Sequence, residues 1–426
     1  MSWHNKALHR LNLCTDPMAR LPLEIQSLIF LHVPISTPFF VRYRHPTRGW
    51  MPRPTPDARP MVFLGVCRLW RDIALSTPKL WSEIELELPR GPEYISLCKL
   101  WLTRARSLPL SLSLHGSLDL DESVQDLVDQ YSHQLERLTL SPLWTETPGP
   151  GIPFTTEDML LPSLEILTFQ ATDGFKFDRM TQWLGILSVA PMLSRLYLVD
   201  VHFESEGDEE LPSGPLTMAC LSILFLGAPF FWDLTGDQGS TCRILRYLTL
   251  PTLKHLSISS SDLSYKEFVA FLSRSSPSLE LLRLDLTSDW SLPMLSQSLR
   301  LMPTLADLTL SGVRDDCLID AHEVLPLFDT NLSTTPDFLP NLHAIRMSML
   351  VQRPIDYEMV LRVLTSRRVS CPIRLKSFTF KVSTSTSGLQ IPGIMPDHVK
   401  TALQQLITDG LKVRIGNVYP FTVSRR

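Results

Sequence analysis

Beyond residue 90, apolar and polar positions alternate in a short pattern that recurs along the chain. The pattern is L-x-x-Φ-x-Φ, where Φ is apolar, and copies begin at residues 135, 164, 193, 221, 253, 279, 305, 342 and 375. Six of these nine copies have proline two residues before the first leucine, and the mean period is 30 residues. Alternation with a period of two predicts strands with one buried face. The period leaves room for a helix between successive strands.

Helical patterns lie between the copies, for example at residues 180–190, 265–275 and 357–367. A strand and a helix every 20–30 residues are typical of leucine-rich repeats, in which only the stack buries the apolar edge of each unit. Leucine-rich alternation also occurs in ordinary α/β proteins. We predict an α/β fold in which residues 89–426 form an irregular leucine-rich-repeat solenoid. Its parallel strands, spanning residues 115–415, are expected on the concave face and its helices outside.

Irregularity is expected because the Asn or Cys that usually follows the repeat strand is absent from all nine copies. The widest gap, between residues 305 and 342, includes a predicted loop at 329–338. The acidic stretch at 204–210 is interpreted as a solvated loop.

The N-terminal region has a different pattern. Residues 20–33 predict a short helix with Pro22 in its first turn. Residues 33–60 hold seven prolines and five arginines, a composition that predicts a loop or extended insertion without regular pairing. A helix is predicted to resume near Pro60, with Val62, Val66, Leu69 and Ile73 on one stripe, and to end at residues 77–78. The alternation at residues 83–88 predicts a strand.

Composition and charge narrow the function classes. The chain has 426 residues, of which 44% are hydrophobic and 20% charged, as in globular proteins with a sizeable core. Its formal net charge of −4 argues against a general nucleic-acid binder. The charge is uneven: residues 1–90 hold 12 basic and 7 acidic residues, a net of +5, and the remaining 28 and 37 give −9.

The cysteine spacing and the N-terminal sequence indicate the cellular compartment. The seven cysteines are scattered without a CxxC pair, which suits a reducing compartment. The N-terminus lacks the apolar core of a signal peptide, and no run of about 18 apolar residues predicts a membrane span. We therefore expect a cytoplasmic or nuclear protein that does not associate with membranes.

The sequence contains no recognisable catalytic motif. His322-Glu323 lacks the second histidine of a zinc-protease motif, and no nucleophile elbow, phosphate-binding loop or dinucleotide fingerprint occurs. Arg68 next to Cys67 could lower the pKa of that thiol. We expect a non-catalytic protein without a metal or cofactor.

Two N-terminal segments resemble the F-box, which begins L-P-x-E-I and later has a V-C-x-x-W element. The first segment supplies Leu21, Pro22, Glu24, Ile25, Ile29 and Phe30. The second supplies Val66, Cys67, Arg68, Trp70, Arg71, Ile73 and Ala74, and is followed by Trp81. With the repeats, the chain looks like the F-box–repeat proteins of mushroom-forming fungi. The resemblance divides it into an N-terminal segment at 1–19, an F-box at 20–88 with its insertion at 33–60, and repeats at 89–426.

The resemblance implies the substrate-recognition subunit of an SCF-type ubiquitin ligase, which binds a Skp-type adaptor and, through it, a cullin. The adaptor-binding residues it implies are Leu21, Pro22, Glu24, Ile25, Ile29, Phe30, Val66, Cys67 and Trp70. Trp70 and Trp81 are expected to brace this face from within, and Cys67 to be a small buried residue. The alternative is a leucine-rich-repeat scaffold that binds proteins without recruiting a ligase.

The target protein is expected to bind the outward-facing positions of the repeat strands. Because side chains alternate between the two faces of a strand, the residues next to the Φ positions point to the concave side. The candidate substrate-binding residues are Ile166, Arg195, Tyr197, Ile223, Phe225, Arg283 and Arg346. The alternative is that a loop at 227–241, with Phe230, Phe231 and Trp232, folds over this patch and buries it.

Overall fold

A computed structural model describes eighteen segments of the chain. They are residues 17–32, 43–45, 49–51, 59–88, 92–116, 122–142, 160–171, 176–177, 180–199, 201–203, 214–227, 241–259, 263–312, 319–329, 338–350, 355–370, 374–383 and 395–417. The acidic stretch at 204–210, the loop at 228–240 with its three aromatic residues, and residues 330–337 lie outside the described residues.

The chain divides into two compact units. The first comprises residues 1–142 and 158–164, and the second comprises residues 143–157 and 165–426. The first unit therefore extends well past residue 88, where we predicted the end of the F-box region, and includes two parallel strands of the predicted repeat region.

The first unit begins with a 3₁₀ helix at Met18–Arg20 and three short helices. These are α1 at Leu23–His32, α2 at Arg59–Val66 and α3 at Arg68–Ser76. After a 3₁₀ helix at Pro78–Trp81, strands and helices alternate as β3 at Glu83–Leu88, α4 at Pro92–Arg104, β4 at Leu110–Gly116, α5 at Glu122–Tyr131 and β5 at Leu135–Pro142. The strands β3, β4 and β5 are parallel and pair in chain order.

Two predictions for this unit were wrong. The insertion contains a regular antiparallel pair, formed by β1 at Tyr43–His45 and β2 at Gly49–Met51. The helix after Pro60 is not continuous, because Cys67 is extended and separates α2 from α3. Because of this break, the residues of the predicted stripe do not share one face: Ile73 is buried, while Val62 and Val66 are exposed. The helix end at residues 77–78 and the strand at 83–88 are confirmed.

The second unit contains a sheet whose strands are all parallel and follow one another in chain order. Among the described residues its strands are β6 at Ile166–Gln170, β8 at Arg195–Val199, β11 at Ile223–Gly227, β13 at His255–Ser259, β14 at Leu281–Asp285, β15 at Asp307–Gly312, β16 at Ala344–Leu350, β17 at Ser377–Ser383 and β18 at Lys412–Asn417. Two small parallel pairs lie beside it, β7 at Lys176–Phe177 with β9 at His202–Phe203, and β10 at Leu216–Thr217 with β12 at Leu248–Thr249.

Every L-x-x-Φ-x-Φ copy forms a parallel strand, as predicted: the copy at residue 135 forms β5 of the first unit, and the other eight form strands of the second unit. The leucine that opens each copy and both Φ residues are buried throughout, whereas the residue between the two Φ positions is half-buried or exposed. Helices α6 at Met180–Ser188, α7 at Tyr265–Ser275 and α10 at Tyr357–Ser370 confirm the helical predictions between strands, and α8 at Leu292–Arg300, α9 at Ala321–Val324 and α11 at Asp397–Thr408 add to them. The α/β class is therefore confirmed.

Three further strands align with the repeat strands but do not match the L-x-x-Φ-x-Φ spacing. In β3, β4 and β18 the strand residues aligned with the Φ positions pair with those of neighbouring copies. Three residues before the first of these Φ-aligned positions stand Trp81, Pro109 and Gly410, respectively. In β4 the register shifts by one residue, so that Leu110 rather than Pro109 pairs with the opening Leu135. The pattern therefore missed β4 and β18, and did not group β3 with the repeats.

A buried arginine connects the two sides of the widest gap between repeats. The Arg367 side chain, on α10, is only 1% exposed. Its Nε donates to the carbonyl of Phe328 at 3.0 Å, while Nη2 and Nη1 donate to the carbonyls of Phe338 and Leu339 at 3.0 and 2.9 Å. Leu339 has a φ of +51°, a left-handed conformation that is unfavourable for leucine. Arg367 therefore fixes both ends of the segment that begins after residue 328 and returns at 338.

Candidate partner-binding surfaces

Helix α1 is apolar on two opposite faces. Its inner face buries Gln26 and Phe30, while Ile25 and Ile29 are 42% and 37% exposed. Leu28 is 48% exposed and lies beside them on the outer face. A helix that is hydrophobic all round is normally buried on all sides. Among the described residues of this unit, the outer face of α1 is therefore an exposed apolar surface.

The start of α1 is fixed by a buried glutamine. The Gln26 side-chain amide donates to the carbonyls of Met18 and Leu21 at 2.7 and 2.8 Å. The Pro22 carbonyl accepts hydrogen bonds from the backbone N–H groups of Ile25 and Gln26. These contacts hold Leu21 and Pro22 at the entrance of the helix, where both are exposed. Glu24 is also exposed in the first turn.

Phe30 was predicted to contact an adaptor, and the structure corrects this. Its side chain is 1% exposed and stacks on Phe63 with ring centroids 4.2 Å apart. The half-buried Trp70 completes the cluster, 5.1 Å from Phe30 and 6.0 Å from Phe63. This aromatic cluster joins α1, α2 and α3 from within. Trp70 therefore braces the face, as expected, and Phe30 belongs to the same core.

The segment around Cys67 also differs from expectation. Cys67 is exposed rather than buried, because the chain turns there between two helices. Its Sγ accepts a hydrogen bond from the Trp70 N–H at 3.5 Å, so the thiol caps α3. Val66, just before it, is 54% exposed and remains available to a partner.

The Trp81 side chain is fully buried. Its indole Nε1–H donates to the Ala74 carbonyl at 2.8 Å, and its ring packs edge-on against Trp101 at 5.1 Å. The Arg104 guanidinium carbon lies 4.4 Å from the ring centroid, a cation–π contact. Trp81 therefore connects α3 to α4 and confirms the expected structural role.

The exposed apolar surface is larger than the sequence pattern predicted. Its members on α1, α2 and their flanking residues are at least one-third exposed, and they are Leu21, Leu23, Ile25, Leu28, Ile29, Met61, Val62 and Val66. We call this set the N-terminal apolar surface. Leu23, Leu28, Met61 and Val62 were missed as site residues, although uninterrupted apolar runs in two short helices were a signal for them.

In the second unit, the predicted target-binding residues lie on the open face of the parallel strands. Ile223 and Phe225 pair in register with Arg195 and Tyr197 of the neighbouring strand, and Ile166 pairs with Arg195 from the other side. The Tyr197 and Phe225 ring centroids are 6.5 Å apart. These side chains are half-buried or exposed, so the patch is brought together as predicted. Whether residues 228–240 cover it lies outside the described residues.

Arg283 and Arg346 lie further along the same face and have acidic neighbours. Arg346 forms a salt bridge with Asp307 on the adjacent strand. Burial lowers the pKa of the Arg283 guanidinium, the charge of Asp285 raises it, and the charge of Arg346 lowers it. Asp285 also accepts a hydrogen bond from Ser259 at 2.8 Å. The two arginines are therefore separate from the aromatic pair but close enough to affect one another.

Within the described residues, no group of three or more His, Cys, Asp or Glu side chains is arranged to hold a metal ion. The helices in that part of the chain are too short or too polar to cross a membrane. Comparison with models of known protein families gives no match. No curated protein sequence matches the chain either.

Proposed function

We propose that this chain is the substrate-recognition subunit of an SCF-type ubiquitin ligase, in which the N-terminal F-box binds a Skp-type adaptor and the C-terminal leucine-rich repeats bind a target protein. The observation that carries the proposal is the N-terminal apolar surface. It begins at Leu21-Pro22, the opening residues of the F-box pattern, and its helix α1 has a second apolar face that the described residues leave exposed. A partner protein is the direct way to remove such a surface from water.

The open face of the second unit supports the other half of the proposal. Parallel sheets are ordinarily buried on both faces. Here the described strands bury one face and leave alternate residues of the other half-exposed, as in β6 and β14. Stacked leucine-rich repeats have this arrangement and use the open face to bind proteins. Such a subunit is non-catalytic, binds its cullin through the adaptor and acts in the cytoplasm or nucleus.

The free energy of the adaptor interaction can be estimated from the exposed fraction of the isoleucine side chains. Fully burying an isoleucine stabilises a complex by roughly 1.5–3 kcal/mol relative to leaving it in water. Ile25 and Ile29, each about two-fifths exposed, would therefore contribute about 0.6–1.2 kcal/mol each when covered. Replacing either by a carboxylate also places an unpaired charge in the interface, which is far more unfavourable. Two such substitutions should lower adaptor affinity by well over tenfold.

The test is co-purification of the full chain with a Skp-type adaptor and cullin from cells with the proteasome inhibited. The Ile25→Glu/Ile29→Glu variant should lose the adaptor, and Leu21→Ala/Pro22→Ala should weaken it, while circular dichroism stays unchanged because these side chains face outward. Val369→Glu, at a 79% exposed position on α10, is the matched control and should retain the adaptor. Unchanged adaptor binding by the folded glutamate variant would reject the proposal. A wild-type chain that binds other proteins without any adaptor would instead be a scaffold.

A further inference from the structure

Three arginines on the open face of the second unit occupy equivalent positions on every second strand. Each lies between the two Φ residues of its strand, and the register runs from Arg283 to Thr309, Arg346, Thr379 and Arg414 across β14–β18. Arginine and threonine therefore alternate strictly along one row. Neighbouring strands are about 4.8 Å apart, so successive arginines are about 9.6 Å apart. We call Arg283, Arg346 and Arg414 the arginine row.

The charge of this face is opposite to that of the whole chain. The outward positions of β14–β18 hold five basic residues and two acidic ones, Asp285 and Asp307, giving +3, whereas the chain carries −4. No acidic residue occurs in β16, β17 or β18. Burial is the main cause of the lowered pKa of Arg283, and the like charge of Arg346 lowers it further, the direction that repulsion between neighbouring arginines gives. An anionic ligand would relieve this repulsion and gain charge-assisted hydrogen bonds.

The spacing of the row selects a conformation for that ligand. In a β-strand, side chains on one face recur every second residue, about 6.4–6.8 Å apart, and residues three apart point to opposite sides, so a strand could not match the spacing of successive arginines. A polyproline II helix has three residues per turn and rises about 3.1 Å per residue. Every third side chain therefore returns to the same side after about 9.3 Å, close to the separation of alternate strands.

The row continues into the aromatic pair at the same pitch. Phe225 occupies the equivalent position on β11, and Ser257 on β13 lies between it and Arg283. Phe225 is therefore two strands from the first arginine, and Tyr197 packs beside it on β8. A ligand that places acidic residues on the arginines would place an apolar residue, three positions away, over Phe225.

We infer that the open face of the second unit binds an extended, polyproline II-like acidic peptide, with one apolar anchor followed by Asp or Glu at every third position. The inference deepens the proposed function by assigning a chemistry to the target, and it rests on that function only for the peptide being part of a ligase substrate. The anchor contacts Phe225 and Tyr197, and the three carboxylates pair with the arginine row, the middle one sharing the Arg346 guanidinium with Asp307.

The experiment measures fluorescence anisotropy of labelled synthetic peptides with the full-length chain at low ionic strength. The matched peptide has leucine first, glutamate at every third position thereafter, and proline elsewhere. A control peptide of the same composition has its glutamates contiguous. The matched peptide should bind at least fivefold more tightly, and binding should weaken with salt because the contacts are partly exposed. Equal binding of the two peptides would overturn the inference, as would tighter binding of a single-stranded oligonucleotide.

Variants assign the contacts to residues. Neutralising one exposed ion pair changes affinity by up to about fivefold, so Arg283→Gln/Arg346→Gln/Arg414→Gln should weaken binding about tenfold or more. Arg362→Gln, at an exposed position on α10, is the control and should bind like wild type. Arg414→Gln alone, at an exposed position of the end strand, keeps the test valid if the triple variant fails to fold. Wild-type affinity in both row variants would refute the proposed site.

Adaptor binding and peptide binding are tested by different variants, so either proposal can be rejected without the other. The arginine variants should still co-purify with the adaptor, because the N-terminal apolar surface is unchanged. The Ile25→Glu/Ile29→Glu variant should still bind the matched peptide. Loss of peptide binding in the arginine variants together with retained adaptor is the expected result for this site. Adaptor loss in the isoleucine variant tests only the ligase function.

Discussion

Arg367 offers a test of how the second unit tolerates its widest gap between repeats. The Arg367→Met change removes a buried guanidinium whose three N–H groups donate to the carbonyls of Phe328, Phe338 and Leu339. Methionine preserves most of the apolar stem but offers no donor. The three carbonyls would lose their partner at a site where the arginine is 1% exposed. Each is left either without a hydrogen bond or with a newly admitted water.

The expected loss of free energy of unfolding follows from these three hydrogen bonds. A hydrogen bond from a charged donor contributes about 1.5–3 kcal/mol, and an unsatisfied buried acceptor costs about 1–3 kcal/mol. Rearrangement of the freed carbonyls recovers part of this, so we expect the free energy of unfolding to fall by about 3–5 kcal/mol, as for other disrupted buried networks. For a unit of this size that corresponds to roughly 6–20 °C in Tm. Arg367→Lys should lose less, since one ammonium group replaces part of the network.

Differential scanning fluorimetry and urea denaturation of the purified chain provide the measurement. Arg362→Met on the same helix is the control, because an exposed arginine should change stability by about 0.5 kcal/mol or less. Hydrogen exchange should localise the effect to residues 319–350. A Tm within about 2 °C of wild type for Arg367→Met, with the control also unchanged, would show that the three hydrogen bonds do not hold this region together.

Two further predictions concern backbone conformation and thiol chemistry. Gly227 has a φ of +118°, and a Cβ there would lie 1.9 Å from the Ser259 carbonyl oxygen, so Gly227→Ala should destabilise the chain by more than about 2 kcal/mol. Gly185→Ala in α6, where a Cβ meets nothing within 4 Å, should instead stabilise it by up to about 1 kcal/mol in the same denaturation experiment. Burial raises the pKa of the Cys98 thiol to about 11, so iodoacetamide at pH near 8 should modify the exposed Cys67 much faster. Equal labelling by mass spectrometry would contradict this.

The sequence predicted the strands well because burial repeats with a short period. Each L-x-x-Φ-x-Φ copy is local, and its apolar residues report the buried face directly. The same rule failed at β4 and β18, where the buried leucine, Leu110 or Leu411, comes one residue too late for the spacing and Pro109 or Gly410 stands at the opening position. Trp81 fills that position by packing against Trp101, a contact between residues that no spacing rule relates.

The candidate surfaces were predicted less completely, since exposure depends on how helices meet. Phe30 and Ile29 are adjacent and both apolar, yet one is core and the other outward. The break at Cys67 decided which side chains of α2 face solvent, and its extended backbone was not visible in the helical pattern. Arg367 appeared in a predicted helix as one more polar residue. Its burial depends on carbonyl groups contributed by a distant segment.

The chain-order pairing of the second unit has a consequence for how it folds. Within this unit, each of the sheet strands β8, β11, β13, β14, β15, β16 and β17 pairs with the sheet strand before it and the one after it. Contacts therefore close short loops, and folding can begin at several places and spread in either direction. Within the described residues β18 pairs on one side only, with β17. It therefore has backbone hydrogen bonds to a neighbouring strand along one edge, whereas interior strands have them along both. Opening should begin there and proceed inward one repeat at a time, and amide exchange should slow progressively from β18 towards β13.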